Sequence, residues 1–168
     1  LTNKKPLRTA GKFSNYSNHE NLVDDILMWV EFEDDIIADF WMSKSALGHR
    51  NGLKIRIYGS LGSAEWVQNN PEYLILNYRN GDKIIIDRAS NSNILGEKRY
   101  NRYKAGHPSG FLEAFANLYS DIADSLIEYK KLGVYNNPFV FGVDHSIESL
   151  LLFNALVEAN KSKTWIKI

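Results

Sequence analysis

At Gly106 the hydrophobic pattern of this chain changes period, and that change constrains the fold more than any other feature. Before it, from about Leu22 to Asp87, apolar and polar residues alternate in short runs parted by turn residues, as in β-strands. After it, apolar residues recur at helical spacing. A strand-rich half followed by a helical half predicts an α+β domain: an open, mostly antiparallel β-sheet with helices packed on one face. The 168 residues suffice to bury a core in one domain.

Residues 1–21 are polar, carry Pro6, Gly11 and several Ser and Asn, and read as an extended linker with a short strand near Lys12-Phe13-Ser14. Residues 22–168 form the domain proper. Its first strand, about Leu22 to Glu33, puts Met28, Val30 and Phe32 on one face and Leu27, Trp29 and Glu31 on the other. Glu33-Asp34-Asp35 turns into a second strand, Ile36 to Ser45, and the short connection makes an antiparallel hairpin. Further strands are expected at Leu53–Tyr58, Ala64–Val67, Tyr73–Tyr78 and Lys83–Asp87. Asn80-Gly81 between the last two is a strong hairpin signal. Leu27, Trp29, Ile37, Trp41 and Ile85 make the outward positions too apolar for a fully wet surface, so that face is expected to meet a partner.

Residues 88–105 read as a polar loop with Arg88, Lys98, Arg99, Arg102 and Lys104. The main helix follows, with His107 as N-cap and Pro108 at the first helical position, where a missing N–H is harmless. Phe111, Phe115, Leu118, Tyr119, Ile122, Leu126 and Ile127 form its apolar stripe, expected to support the sheet, and Gly133 its stop. Asp144 is expected to cap a second helix, about His145 to Asn160, apolar nearly all round and so buried on more than one side. Thr164 to Ile168 reads as a closing strand.

The chemistry visible in side chains is sparse. Lys+Arg and Asp+Glu balance at 20 each, which gives no global bias toward nucleic acid or an acidic membrane. The basic loop with Tyr100 and Tyr103 is a weaker pointer to RNA; basic loops are usually just solvated. There is no cysteine, hence no disulfide or thiolate site, which suits the cytoplasm. No apolar run approaches the ~20 residues of a membrane span. The four histidines show no metal-ligand spacing, and no serine stands in a nucleophile elbow. Gly59-Ser60-Leu61-Gly62 lacks the spacing, lysine and helix of a phosphate-binding loop and reads as a β-turn.

Two local sites remain. His107 either caps a helix or faces a substrate at a helix N-terminus, where anionic or hydroxylated groups are favoured. His49-Arg50-Asn51-Gly52 is either a polar turn or a loop offering imidazole, guanidinium and amide groups to a sugar or carboxylate.

The stretch from Ala46 through Gly48-His49-Arg50-Asn51-Gly52, Leu53–Tyr58 and Gly59-Ser60-Leu61-Gly62-Ser63 to Trp66 resembles part of the Gfo/Idh/MocA oxidoreductases, the glucose-fructose oxidoreductase and inositol dehydrogenase family. So does Gly106-His107-Pro108-Ser109-Gly110-Phe111 running into Glu113-Ala114-Phe115-Ala116-Asn117-Leu118-Tyr119, and so does the closing Lys163-Thr164-Trp165-Ile166. The resemblance extends over nearly all of residues 12–168. It implies the family's C-terminal domain, an open sheet like that of the glyceraldehyde-3-phosphate dehydrogenase C-terminal domain, without the N-terminal Rossmann domain. Neither the glycine-rich turn nor the Glu-Lys-Pro lysine of that Rossmann domain occurs here.

By resemblance, the parent protein is an NAD(P)-dependent dehydrogenase of a sugar, inositol or related polyol. NAD or NADP would be held mainly by the other domain, and these residues alone would be inactive, with no catalytic residue and no metal. Residues 22–168 would bind substrate through His107, His49, Arg50 and Asn51, and would build a homodimer or homotetramer through the open sheet face. Alternatives are a non-catalytic family member and a stand-alone dimerisation domain.

Overall fold

The structure, a computed structural model, describes residues 3–90, 97 and 99–168. In chain order it contains β1 (Pro6–Ser14), β2 (Asp25–Phe32), a single 3-10 turn (Glu33–Asp35), β3 (Ile36–Ser43), β4 (Lys54–Gly59), β5 (Gly62–Val67), β6 (Leu74–Tyr78) and β7 (Lys83–Ile86). Helices α1 (Phe111–Leu132) and α2 (Val143–Ser162) and the short β8 (Ile166–Lys167) complete it. The expected α+β class and antiparallel pairing hold. The strands, however, divide between two four-stranded sheets, β3-β2-β1-β8 and β4-β5-β6-β7. Periodicity identifies strands and tight hairpins; it does not say whether strands pair across a longer connection such as residues 44–53.

The chain forms two compact units. One runs up to Gly48 and resumes at Phe141–Ile168. In it β2 pairs with β3 in the expected hairpin, Phe32 opposite Ile36 and Asp25 opposite Ser43. Residues 6–14, expected to be mostly linker, form β1, which pairs with β2 along its length and with β8 at Arg8 and Thr9. Two of its inward residues, Thr9 and Gly11, are small for a reason. An ideal Cβ on Gly11 would lie 2.6 Å from Leu156 Cδ1 of α2, and Thr9 is fully buried with its hydroxyl donating to the Trp29 carbonyl at 2.8 Å. Met28, Val30 and Leu156 form the core, flanked by Phe13, Ile26, Phe32, Leu152 and Ile168. Asn160 Oδ1 accepts the Phe13 N–H at 2.9 Å and ties α2 to β1.

The opposite face of this sheet is apolar and exposed: Leu27 stands opposite Trp41, and Glu31 opposite Ile37, with Trp41 and Ile37 each more than 60% exposed (63% and 69%). Helix α2 begins two residues before its expected start, with Gly142 as N-cap, so Asp144 lies in the first turn instead of capping it. Ala155, Leu156 and Ala159 are its buried residues; Leu150, Leu151 and Phe153 are exposed, contrary to burial on more than one side.

The second unit, His49–Val140, holds the other sheet and α1. β6 and β7 form the expected hairpin, with Gly81 in the left-handed region at φ 95°. Gly59 pairs with Gly62 in the turn joining β4 to β5, so this pair of glycines serves a hairpin. Helix α1 starts at Phe111, later than expected. Gly110 is its N-cap and His107 and Pro108 precede it. Its cap is made by Glu113, whose Oε2 accepts the Gly110 N–H at 2.7 Å. Gly133 ends it in the left-handed conformation, as expected. Its apolar stripe does not support the sheet as expected: Phe111, Phe115, Leu118, Tyr119, Leu126 and Ile127 are exposed and Ser125 is its buried residue.

Candidate functional site

Sheet and helix of the second unit are joined by arginines. Arg99 Nη2 pairs with Asp121 Oδ2 of α1 at 3.0 Å, and its guanidinium lies over the Phe139 ring, 3.4 Å from the centroid. Arg102 Nε donates to Asn117 Oδ1 at 2.8 Å, while Asn117 Nδ2 donates to the Arg99 carbonyl at 2.8 Å. These two charges of the basic loop are therefore turned onto α1. Residues 91–96 and Lys98 of that loop lie outside the described residues.

At the other end of the loop stands Arg88, just past β7, its side chain 9% exposed. Its Nε donates to Glu72 Oε2 at 2.7 Å, Nη1 to the Tyr103 carbonyl at 2.9 Å, and Nη2 to the His107 carbonyl. The second Glu72 oxygen, Oε1, accepts the Ser109 N–H at 3.0 Å. Burial alone would push the Glu72 carboxyl pKa up; the Arg88 hydrogen bond and charge and the Ser109 N–H outweigh it and hold the group below the usual carboxylate range.

This network is a wall between two cavities. The first, about 500 Å³, lies among Trp66, Leu74, Leu76 and Ile86 of the sheet, Tyr100 and Tyr103 of the loop, and Ala114 of α1. The second, about 550 Å³, is lined by Asn70, Tyr73, Ala89 and the loop Ala105–Ser109, including His107. Pro71, Glu72, Asp87, Arg88 and Ser109 line both.

His107 is exposed at the second cavity. Its Nδ1 lies 3.1 Å from the Lys104 carbonyl. A carbonyl only accepts, so Nδ1 carries the proton and Nε2 of the neutral ring is an acceptor. The backbone N–H of His107 donates to the same carbonyl at 3.1 Å. Gly106, with φ 90°, makes the turn that permits this, a conformation suited to glycine. An imidazole so oriented can accept a hydrogen bond or a proton from a hydroxyl.

His49, Arg50 and Asn51 are exposed on the connection before β4 and line neither cavity. The structure thus does not bring them together with His107 around one cavity. Glu72, Arg88 and Ser109 were missed as site residues by the sequence reading. Their partners lie 15 to 37 positions apart, and no local spacing signals that. Among the described residues no group of three or more His, Asp or Glu is placed to hold a metal ion, and no helix is long and apolar enough to cross a membrane.

Comparison with known proteins matches this architecture. Residues 4–168 match the family described as "Oxidoreductase family, C-terminal alpha/beta domain". The chain is 25% identical over 156 residues to an uncharacterized oxidoreductase, YfiI, of Bacillus subtilis (strain 168), an alignment taking in 87% of this chain and 38% of YfiI. The crystal structure of an oxidoreductase from Sinorhizobium meliloti superposes with a TM-score of 0.84 at 29% identity, over 98% of this chain and 47% of that one. An inositol dehydrogenase homolog from Azotobacter vinelandii, solved with NADH and myo-inositol, superposes with a TM-score of 0.86 at 21% identity, over 100% and 45%, a likeness of fold. The chain therefore spans less than half the length of these relatives. With the match running over nearly its whole length, the chain belongs to the Gfo/Idh/MocA oxidoreductase family, whose C-terminal α/β domain it holds.

Proposed function

We propose that these residues are the substrate-binding and oligomerisation domain of an NAD(P)-dependent dehydrogenase acting on a sugar, inositol or related polyol. The observation that carries the reading is the match to the oxidoreductase C-terminal domain over residues 4–168. The fold shared with a protein solved in complex with NADH and myo-inositol supports the substrate class. In the second cavity, the His107 imidazole beside Asn70, Tyr73 and Ser109 offers hydrogen-bonding groups suited to a polyol.

The Gly59–Gly62 turn joins two antiparallel strands and opens no helix, so it supplies no cradle of N–H groups for a pyrophosphate. The nicotinamide cofactor would be held by the parent protein's other domain. The role of this chain is to bind hydroxyls and fix which carbon faces the cofactor. His107 is the first substrate contact proposed; His49, Arg50 and Asn51 are the second, at an exposed loop that would have to meet substrate in the complete protein.

The exposed apolar face of the first sheet supports self-association. The Trp41 indole N–H is already satisfied by Asp25 Oδ2 at 2.9 Å, which leaves the ring with no polar debt to water. A soluble protein rarely leaves Leu27, Trp29, Ile37 and Trp41 bare together.

The test is steady-state kinetics of the full-length parent protein with NAD and NADP on a panel of inositols, aldoses and acyclic polyols. His107→Ala should lower kcat/KM about tenfold or more on the preferred substrate, the loss of one hydrogen bond at about 1.4 kcal/mol per tenfold, with circular dichroism unchanged. Unchanged kinetics would remove His107 from the site. No turnover of any polyol with either cofactor would overturn the substrate class.

A further inference from the structure

We infer that the Glu72–Arg88 pair is a clasp that fixes the 103–109 loop to the sheet and so positions His107 at its cavity. The inference rests on the proposed role of His107 for its kinetic part only. Three bonds from one guanidinium reach three separate places: Glu72 before β6, and the carbonyls of Tyr103 and His107. The two carbonyls bracket the turn that carries the His107 ring. Glu72 then closes the circuit by accepting the Ser109 N–H on the far side of His107. The loop is thus held at 103, 107 and 109 by two side chains that both belong to the sheet side of the unit.

The planar fork is what makes this possible. Arginine presents its donors in a fixed plane, so Nε and the two Nη groups can serve three acceptors at once. A lysine keeps the charge but concentrates its donors on one atom and cannot span the same acceptors. Among the described residues the ring of His107 makes one bond, to Lys104 within its own loop, and none that ties it to the sheet. Its position relative to the sheet therefore depends on the backbone clasp. Arg88 and Glu72 are positioning residues here, since they act through His107.

Arg88→Lys and Glu72→Gln in the full-length protein test this, with amide hydrogen exchange and kinetics measured on the same samples. Both retain hydrogen-bonding side chains at their sites and so guard against simple unfolding. The expected result for Arg88→Lys is exchange at the His107 and Ser109 amides at least tenfold faster, with the β4–β7 ladder unchanged. kcat/KM should fall about tenfold in the parent background and not fall further in a His107→Ala background. Glu72→Gln should loosen Ser109 more than His107. Unchanged protection of 103–109 in Arg88→Lys overturns the clasp whatever the kinetics. An equal fall of kcat/KM in the His107→Ala background overturns positioning through His107. Faster loop exchange with a kinetically silent His107→Ala keeps the clasp and overturns the substrate role proposed for His107 instead.

Discussion

Gly11→Ala probes the first unit where helix and sheet come closest. The added Cβ would sit 2.4 Å from the Leu27 carbonyl oxygen and 2.6 Å from Leu156 Cδ1, where ordinary contact begins at 3.4 Å. The two clashes differ in what can yield. Leu156 is a fully buried side chain and can rotate only by disturbing Met28 and Val30. The Leu27 oxygen belongs to β2, paired with β1 from Pro6 to Ser14, so it moves only with the ladder. Overpacking a filled core costs about 1–3 kcal/mol, and two sub-contact clashes point to the upper end. Replacing glycine by alanine returns about 0.4–1 kcal/mol through the unfolded chain. The expected net loss is about 2 kcal/mol, or about 4–8 °C in Tm for a chain of this size.

Urea and thermal unfolding measure it, with Gly59→Ala as control. There the nearest atom to an added Cβ is 3.7 Å away, and a change within about 0.5 kcal/mol is expected. Leu156→Ala alone should cost about 2–5 kcal/mol. The double variant Gly11→Ala/Leu156→Ala should be less destabilised than the sum by about 1 kcal/mol, because removing Leu156 relieves one of the two clashes. If Gly11→Ala matches Gly59→Ala, the close packing of α2 on β1 is refuted. If the double variant is strictly additive, Leu156 is not what the methyl strikes.

Two further outcomes are expected. The Asp24 carboxylate accepts the N–H groups of Tyr16 and Ser17, at 3.0 and 2.7 Å, and these bonds, led by that of Tyr16, hold its pKa low against the opposing effect of burial. A lowered carboxyl pKa stabilises the fold above the unfolded value of about 3.9, and that stability is lost as pH falls through the folded value; Asp24→Asn should therefore show a shallower acid limb in urea unfolding, and parallel pH profiles would contradict this. Ile37→Lys places a charge on the exposed apolar face and should weaken self-association of the parent protein at least about tenfold by sedimentation velocity; an unchanged oligomer would show that another surface holds it.

What could be read from residues alone follows from the range over which each interaction acts. The β2–β3 and β6–β7 hairpins were legible because turn chemistry and alternation are local: Glu33-Asp34-Asp35 and Asn80-Gly81 sit directly between their strands. β1 was legible only at its end, near Phe13, because its other inward positions are Thr9 and Gly11. They are small to admit Leu156, a residue 145 positions away in sequence order from Gly11, so the strand carries almost no alternation of its own. The start of α1 was misplaced for a related reason. His107-Pro108 has the form of a capped helix start, but the backbone is non-helical at Gly110, which is the N-cap, and the helix begins at Phe111, while Arg88 and Glu72 bind the backbone at 107 and 109. The apolar stripes of α1 and α2 were correctly periodic, yet periodicity says that a face seeks cover and not what provides it.

The same competition explains why the candidate site was only half visible. His107 could be singled out because a histidine beside Pro and Gly is conspicuous. Had it been a helix cap, its ring would have been spent on backbone N–H groups of the first turn. Instead Gly110 occupies the cap, Glu113 satisfies its N–H, and the His107 ring spends only Nδ1, on Lys104. The start of the helix three residues later than expected thus leaves Nε2 available to another molecule. The loop before that start is held by two charged side chains, Glu72 and Arg88, of which the sequence showed only Arg88, as a basic residue in a polar loop. Buried at 9% exposure and committed to three acceptors, Arg88 is the residue whose role sequence reading most underrated.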